Sequence, residues 1–81
     1  MAERGIMNAD LELYGAQGCP YTADLREQLS FDRRDFVEYD IEADADARQR
    51  LLALTGESRV PVLIEQGRVV AIGWGGRSCL V

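Results

Sequence analysis

The chain has 81 residues, a formal net charge of −5 and a hydrophobic share of 47%. That length allows one domain near the small end of what folds unaided, and that apolar share is too high for a disordered chain. No apolar run approaches the roughly 18 residues that span a bilayer, and the acidic balance argues against nucleic acid as a partner, because phosphate binding needs a basic surface.

Met1 to Asp10 carries Glu3 and Arg4 but no apolar core segment. It is expected to be a frayed lead-in rather than a signal peptide, which leaves the cytoplasm as the default compartment. Leu11-Glu12-Leu13-Tyr14 alternates apolar and polar between Asp10 and Gly15 and predicts a strand. The loop Gly15 to Gly18 leads into Cys19. From Pro20 to about Ser30 a helix is expected, with Tyr21, Leu25 and Leu29 sharing one face. Phe36 to Ile41, rich in aromatic and β-branched residues, predicts a second strand.

Asp44 or a neighbouring acid is expected to cap a second helix, with Asp46 in its first turn and Gly56 closing it. Ala47, Leu51 and Leu54 fall at i, i+4 and i+7 within it. Val60 to Ile64 predicts a strand with Pro61 at its start, Gln66-Gly67 a turn, and Val69 to Ile72 a fourth strand completing a hairpin. Gly73 to Val81 is glycine-rich and irregular, with room for one helical turn. The order β-α-β-α-β-β predicts an α/β fold in which the first β-α-β unit makes a parallel pair and the hairpin adds an antiparallel edge. Sheet and helices are expected to form a sandwich of one layer on another, a single domain over residues 1–81.

The chemistry centres on Cys19-Pro20-Tyr21-Thr22. Cys19 falls where the first helix caps, and Pro20 at the first helical position, where its missing N–H costs nothing. A sulfur there faces free backbone N–H groups and the positive end of the helix dipole, which favour thiolate, the form that attacks disulfides. All nine positive residues are arginines and there is no histidine. Histidine acid–base catalysis and a histidine-ligated metal are therefore excluded, and two cysteines alone are too few for a closed zinc site. For Cys19 and Cys79 three readings stay open: a structural disulfide, which a reducing cytoplasm disfavours; small buried hydrophobes; and reactive thiols.

A strand, then Cys-Pro-Tyr-x at a helix start, then Val60-Pro61 before a hairpin resembles glutaredoxin and the wider thioredoxin fold over roughly residues 10 to 76. The segments Tyr14 to Thr22, Phe36 to Asp40, Arg59 to Leu63 and Ile72 to Cys79 are similar to the UXX-star group of glutaredoxin-like (seleno)proteins, in which the position of Cys19 is sometimes selenocysteine. The resemblance implies a thioredoxin-like, glutaredoxin-type four-stranded mixed sheet with a truncated or missing third helix. It implies that Cys19 is the nucleophile, that the Val60 backbone pairs with the cysteine of bound glutathione, and that Pro61 is cis beside the sulfur. Ile72-Gly73 resembles the segment that grips the γ-glutamyl end, with Trp74 where a second glycine is expected. Gly73-Trp74 followed by Arg77 is also similar to the glutaredoxin-like electron donors of ribonucleotide reductase, which bind glutathione poorly.

Four side chains carry paired readings. Thr22 replaces the second cysteine of a dithiol motif; its hydroxyl either donates to the Cys19 sulfur, lowering the thiol pKa, or bonds backbone or water. Arg59 lies near that sulfur or a glutathione carboxylate, or is solvated. Tyr21 contacts a bound thiol or covers the helix start, and Trp74 is a core plug or a binding platform. Cys79 is a candidate resolving cysteine, which requires its Cα within about 7 Å of that of Cys19.

The expected function is a monomeric thiol–disulfide oxidoreductase acting on glutathione-mixed or protein disulfides, with glutathione or Cys79 resolving. Glutathione is then a co-substrate, with no metal or tightly bound cofactor. A peroxide-reducing variant would pass through a sulfenic acid at Cys19. Two alternatives are a glutathione-dependent [2Fe–2S] carrier, against which Pro20 and Tyr21 weigh, and a redox-inert adaptor receiving an extended peptide at the Val60 edge.

Overall fold

Residues 11–81 are described by the computed structural model, so the expected lead-in Met1–Asp10 lies outside the described residues. The first strand, β1 (Leu11–Gly15), is buried on both sides. It pairs in parallel with β2 (Phe36–Asp40), from Leu11 opposite Phe36 to Gly15 opposite Asp40. On its other side it pairs antiparallel with β4 (Val62–Glu65), and β4 with β5 (Arg68–Ile72). The sheet order is β2-β1-β4-β5, with a register shift between Leu63 and Ile64. This is the four-stranded mixed sheet of a thioredoxin-like α/β fold.

Strand alternation distributes β1 over two cores. Leu11 and Leu13 meet Leu25 and Leu29 of α1 (Pro20–Phe31), and all four are no more than 4% exposed. Burying each such leucine contributes about 1.5–3 kcal/mol. Tyr14 points the other way, packing with Ile41, Val62, Ile64 and with Ala47 and Leu51 of α2 (Ala45–Thr55). The two helices therefore cover opposite faces of the sheet, which corrects the expected sandwich of one layer on another. Leu54, expected on the buried face of α2, is instead 43% exposed.

The caps of α2 follow its sequence. The Asp44 carboxylate accepts from the Ala47 N–H at 3.1 Å, Asp46 lies in the first turn, and Gly56 closes the helix at φ 81°, a left-handed geometry glycine adopts without strain. The peptide bond between Val60 and Pro61 is cis. It divides the single strand expected over Val60 to Ile64 into β3 (Arg59–Val60) and β4.

The tail is more ordered than expected. Trp74 and Arg77 bridge across Gly75 and Gly76, both at positive φ, and the Trp74 N–H donates to the Arg77 carbonyl at 2.7 Å. Such a two-residue reversal demands glycine-like backbones. The returning chain forms β6 (Cys79–Leu80), antiparallel to β3, with Cys79 opposite Val60 and Leu80 opposite Arg59. No third long helix follows among the described residues; this short strand takes its place in the chain order.

Candidate active site

Cys19 is the N-cap of α1, in extended backbone geometry, with Pro20 directly after it. Its side chain makes no capping hydrogen bond, and the first turn of α1 carries no acidic residue. The sulfur thus stands at the positive end of the helix without a competing negative charge on that turn. The loop before it is fixed by the Cys19 N–H donating to the Ala16 carbonyl at 3.1 Å and by the Ile41 N–H donating to the Gly15 carbonyl at 2.9 Å.

Cys19 and Cys79 are joined by a disulfide, their Cα atoms 6.1 Å apart. Cys19 is only 3% exposed and belongs to the cluster of Ala16, Ile41 and Val60, while Cys79, packed against that cluster, is half-buried. The sulfur that the resemblance makes the nucleophile is thus buried in this oxidised state. The Val60 carbonyl oxygen stands 4.0 Å from the Cys19 sulfur, a contact rather than a hydrogen bond, since a disulfide sulfur has no proton to donate. A cleft of about 200 Å³ opens beside the pair, lined by Ala16, Gly18, Cys19, Glu42, Cys79 and Val81.

Thr22 is fully buried, and its hydroxyl oxygen accepts from the Ala16 N–H at 3.4 Å. That is the backbone-bonded alternative: among the described residues no hydrogen bond joins Thr22 to the Cys19 sulfur. Its methyl group fills the space left by the missing side chain of Gly15. Tyr21 is half-buried and packs against the cluster that contains Cys19.

Arg59 is engaged by two side chains, neither of them a cysteine. Its Nε donates to the Glu57 carboxylate at 2.7 Å and its Nη1 to the Ser78 hydroxyl at 2.8 Å. Val60 is fully buried, and the backbone edge that the resemblance assigns to glutathione is occupied here by Cys79. The Gly73 N–H, expected near the γ-glutamyl end, donates to the Pro61 carbonyl at 2.7 Å. Trp74 packs on the α1 core and, with Phe31, lines a groove of about 520 Å³ that includes neither cysteine. It is partly buried against the α1 cluster, which does not contain the sulfurs.

Sequence reasoning missed the residues that fasten the tail. The Val81 N–H donates to the Ser58 carbonyl at 3.0 Å, and the Val81 oxygen accepts from the Ser58 hydroxyl at 2.6 Å and from Arg48 Nη2 at 3.0 Å. With Glu57, Arg59 and Ser78 they seat β6 on β3. The one available signal was Gly75-Gly76, a two-residue hairpin dipeptide.

Residues 11–70 match the glutaredoxin family. The chain belongs to that family. It is similar to the thioredoxin-like protein BC3987, at 33% identity over 75% of this chain and 84% of that one, with a TM-score of 0.70. A single-residue variant of the same protein aligns at 31% identity over 80% and 83% of the two chains, with a TM-score of 0.73. Glutaredoxin from Archaeoglobus fulgidus shares the fold, with a TM-score of 0.74 over 93% of this chain and 89% of that one, at 18% identity. The chain has no match among curated proteins. Membership of the glutaredoxin family supports a thiol–disulfide redox function. Cys79 and β6 lie beyond the matched residues, so their part in that function rests on geometry. No helix among the described residues is long and apolar enough to cross a membrane.

Proposed function

We propose that this glutaredoxin-family chain is a thiol–disulfide oxidoreductase that cycles between a dithiol and the Cys19–Cys79 disulfide. The observation that carries the reading is the pairing of Cys79 with Val60 and its bond to Cys19. In the dithiol, the Cys19 thiolate attacks one sulfur of a substrate disulfide; an S–S bond forms to Cys19 and the other substrate half leaves as a thiolate. The Cys79 thiolate then attacks the Cys19 sulfur, forming the intramolecular disulfide and expelling the second substrate thiolate. Two electrons pass from the dithiol to the substrate.

Recharging follows from exposure and charge. An incoming thiolate, such as glutathione, bonds to the more accessible Cys79 sulfur and expels Cys19 as a thiolate; a second glutathione thiolate then attacks the glutathione sulfur of that mixed disulfide, releasing glutathione disulfide and the Cys79 thiolate. The helix end stabilises the Cys19 anion, and a better-stabilised thiolate leaves faster. In a reducing cytoplasm the disulfide is then a transient state of the cycle. The finer resemblance to the UXX-star group fits the same role, since a chalcogen at position 19 is the attacking atom in both. Glutathione acts as a reductant rather than as the resident of the Val60 edge, where β6 competes with it.

The experiment is turnover of a small disulfide by three proteins. Cys19→Ser is expected to be inert, and Cys79→Ser to stop at a mixed disulfide on Cys19 that excess glutathione slowly clears. Retained turnover in Cys19→Ser would overturn the reading.

A further inference from the structure

Helix α1 carries a second surface beside the one it buries. Leu25 and Leu29 face the sheet. Asp24 with Gln28, and Glu27 with Phe31, each pair one helical turn apart, form an adjoining stripe. Trp74, in the loop after β5, stands across from that stripe, and together they line the groove of about 520 Å³. That size falls within the roughly 300–1,000 Å³ of specific binding sites. Among the described residues Phe31 is the most exposed large hydrophobic, at 83%. A ring so placed gives the fold little and is available to a partner. The charged liners are both acids, Asp24 and Glu27, and no cation lines the groove among the described residues. Gln28, the remaining polar liner, donates to Asp32 at 3.1 Å. Arg26 of the same helix is paired with Glu38 at 2.6 Å, and Arg34, just beyond the helix, with Glu65 at 3.2 Å. Two negative charges beside two aromatic rings complement a flat cation. A guanidinium stacks on ring faces and bonds carboxylates through paired N–H groups.

We propose that this groove docks a partner protein through an exposed arginine flanked by an apolar side chain. The guanidinium meets Asp24 or Glu27, and the apolar group lies on Phe31 and Trp74. The net charge of −5 steers a basic partner toward the chain. At a rise of about 1.5 Å per residue, Asp24 lies about 7 Å and Phe31 about 18 Å along the helix axis from Cys19, its N-cap. A partner seated there runs alongside the helix that presents Cys19 and leaves the cleft beside the disulfide open. Docking involves no electron transfer, so it stands or falls apart from the oxidoreductase reading.

Trp74 is the only tryptophan in the chain, so its emission reports occupancy of the groove. The probe is the blocked peptide acetyl-Arg-Leu-Arg-amide, titrated into the full oxidised chain, beside the same peptide with lysine or glutamate in place of arginine. The emission is expected to shift to the blue as the peptide displaces water from the ring. Arginine should bind tighter than lysine by about threefold, the size of an exposed stacking contact, and tighter than glutamate by about tenfold. Phe31→Ser keeps every charge and should weaken the arginine peptide about threefold. The double variant Asp24→Arg with Glu27→Arg should weaken it about tenfold. All three positions are exposed, so the variants keep the fold, which far-ultraviolet circular dichroism checks. No shift up to ~10 mM arginine peptide, a range that covers millimolar affinity, would overturn the proposal. So would equal affinity for arginine and either other peptide. Undiminished affinity in Phe31→Ser would reduce the contact to adhesion by net charge and overturn it as well. A shift that grows with protein concentration in the absence of peptide would give the groove to a second copy of the chain instead.

Discussion

Removing the Cys79 sulfur tests how far the tail depends on the bond that anchors it. The disulfide closes a loop of 60 residues, and the chain entropy it removes from the unfolded state is worth about 4 kcal/mol. A stability of roughly 0.05–0.15 kcal/mol per residue gives a chain of this length about 4–12 kcal/mol in total, so the bond is a large share. Oxidised wild type should therefore unfold at much higher urea than Cys79→Ser. With a slope near 1 kcal/mol per molar for a small domain, the midpoints should differ by ~3–4 M. The assay is urea unfolding followed by far-ultraviolet circular dichroism, with and without dithiothreitol. Reductant should bring the wild type down to the variant and leave the variant unmoved. Midpoints of oxidised wild type and Cys79→Ser within about 0.5 M would refute the reasoning, because the loop-closure contribution is far larger than that.

Two further outcomes follow from named contacts. Gly15→Ala would drive its Cβ into the Thr22 side chain, most severely its methyl group, and should destabilise by about 1–3 kcal/mol; adding Thr22→Ser, which removes that methyl but keeps the nearby hydroxyl, should recover part of the loss in the same unfolding assay. The ring of Tyr14 is buried, while its hydroxyl donates to Glu12 at 3.3 Å and accepts from Arg50 Nε at 3.2 Å. Burial raises the Tyr14 pKa, partly opposed by the Arg50 hydrogen bond. A raised folded-state value means that the stability tied to the protonated phenol is fully present below the unfolded value of about 10 and is lost as pH climbs above it. Urea midpoints should fall over that alkaline range in the wild type and fall less in Tyr14→Phe; equal alkaline losses would exclude this contribution.

Much of the fold was readable because short-range chemistry and tertiary structure agree. Cys19-Pro20 marks a helix start, Asp44 and Gly56 bracket the second helix, and Gln66-Gly67 forms the turn between β4 and β5. What escaped was long-range. Leu11 and Leu13 against Tyr14 hold the information that β1 is covered on both faces, yet the run Leu11-Glu12-Leu13-Tyr14 reads equally as a strand with one apolar side. Strand β6 has two residues, too few for any periodicity, and exists because Gly75-Gly76 turns the chain back onto β3.

The candidate site divides the same way. Cys19 is marked by local geometry, the helix cap, and its neighbour Pro61 by a motif. Cys79 lies 60 positions away in sequence, and only folding decides whether it meets Cys19. Thr22 lies in one motif with Cys19, and its sequence position leaves both the sulfur and the backbone open as partners for its hydroxyl. The empty space at Gly15 and the free N–H of Ala16 decide for the backbone.

The central claim, that Cys19 and Cys79 form one two-electron couple, is tested most directly by counting thiols. The reduced chain is mixed anaerobically with one equivalent of a small disulfide, quenched with an alkylating reagent and weighed by mass spectrometry. The account predicts that both alkylatable thiols disappear together, that two small thiols are released for each chain, and that no small molecule stays attached. Loss of a single thiol with the small molecule retained on Cys19 and Cys79 still alkylated would contradict it.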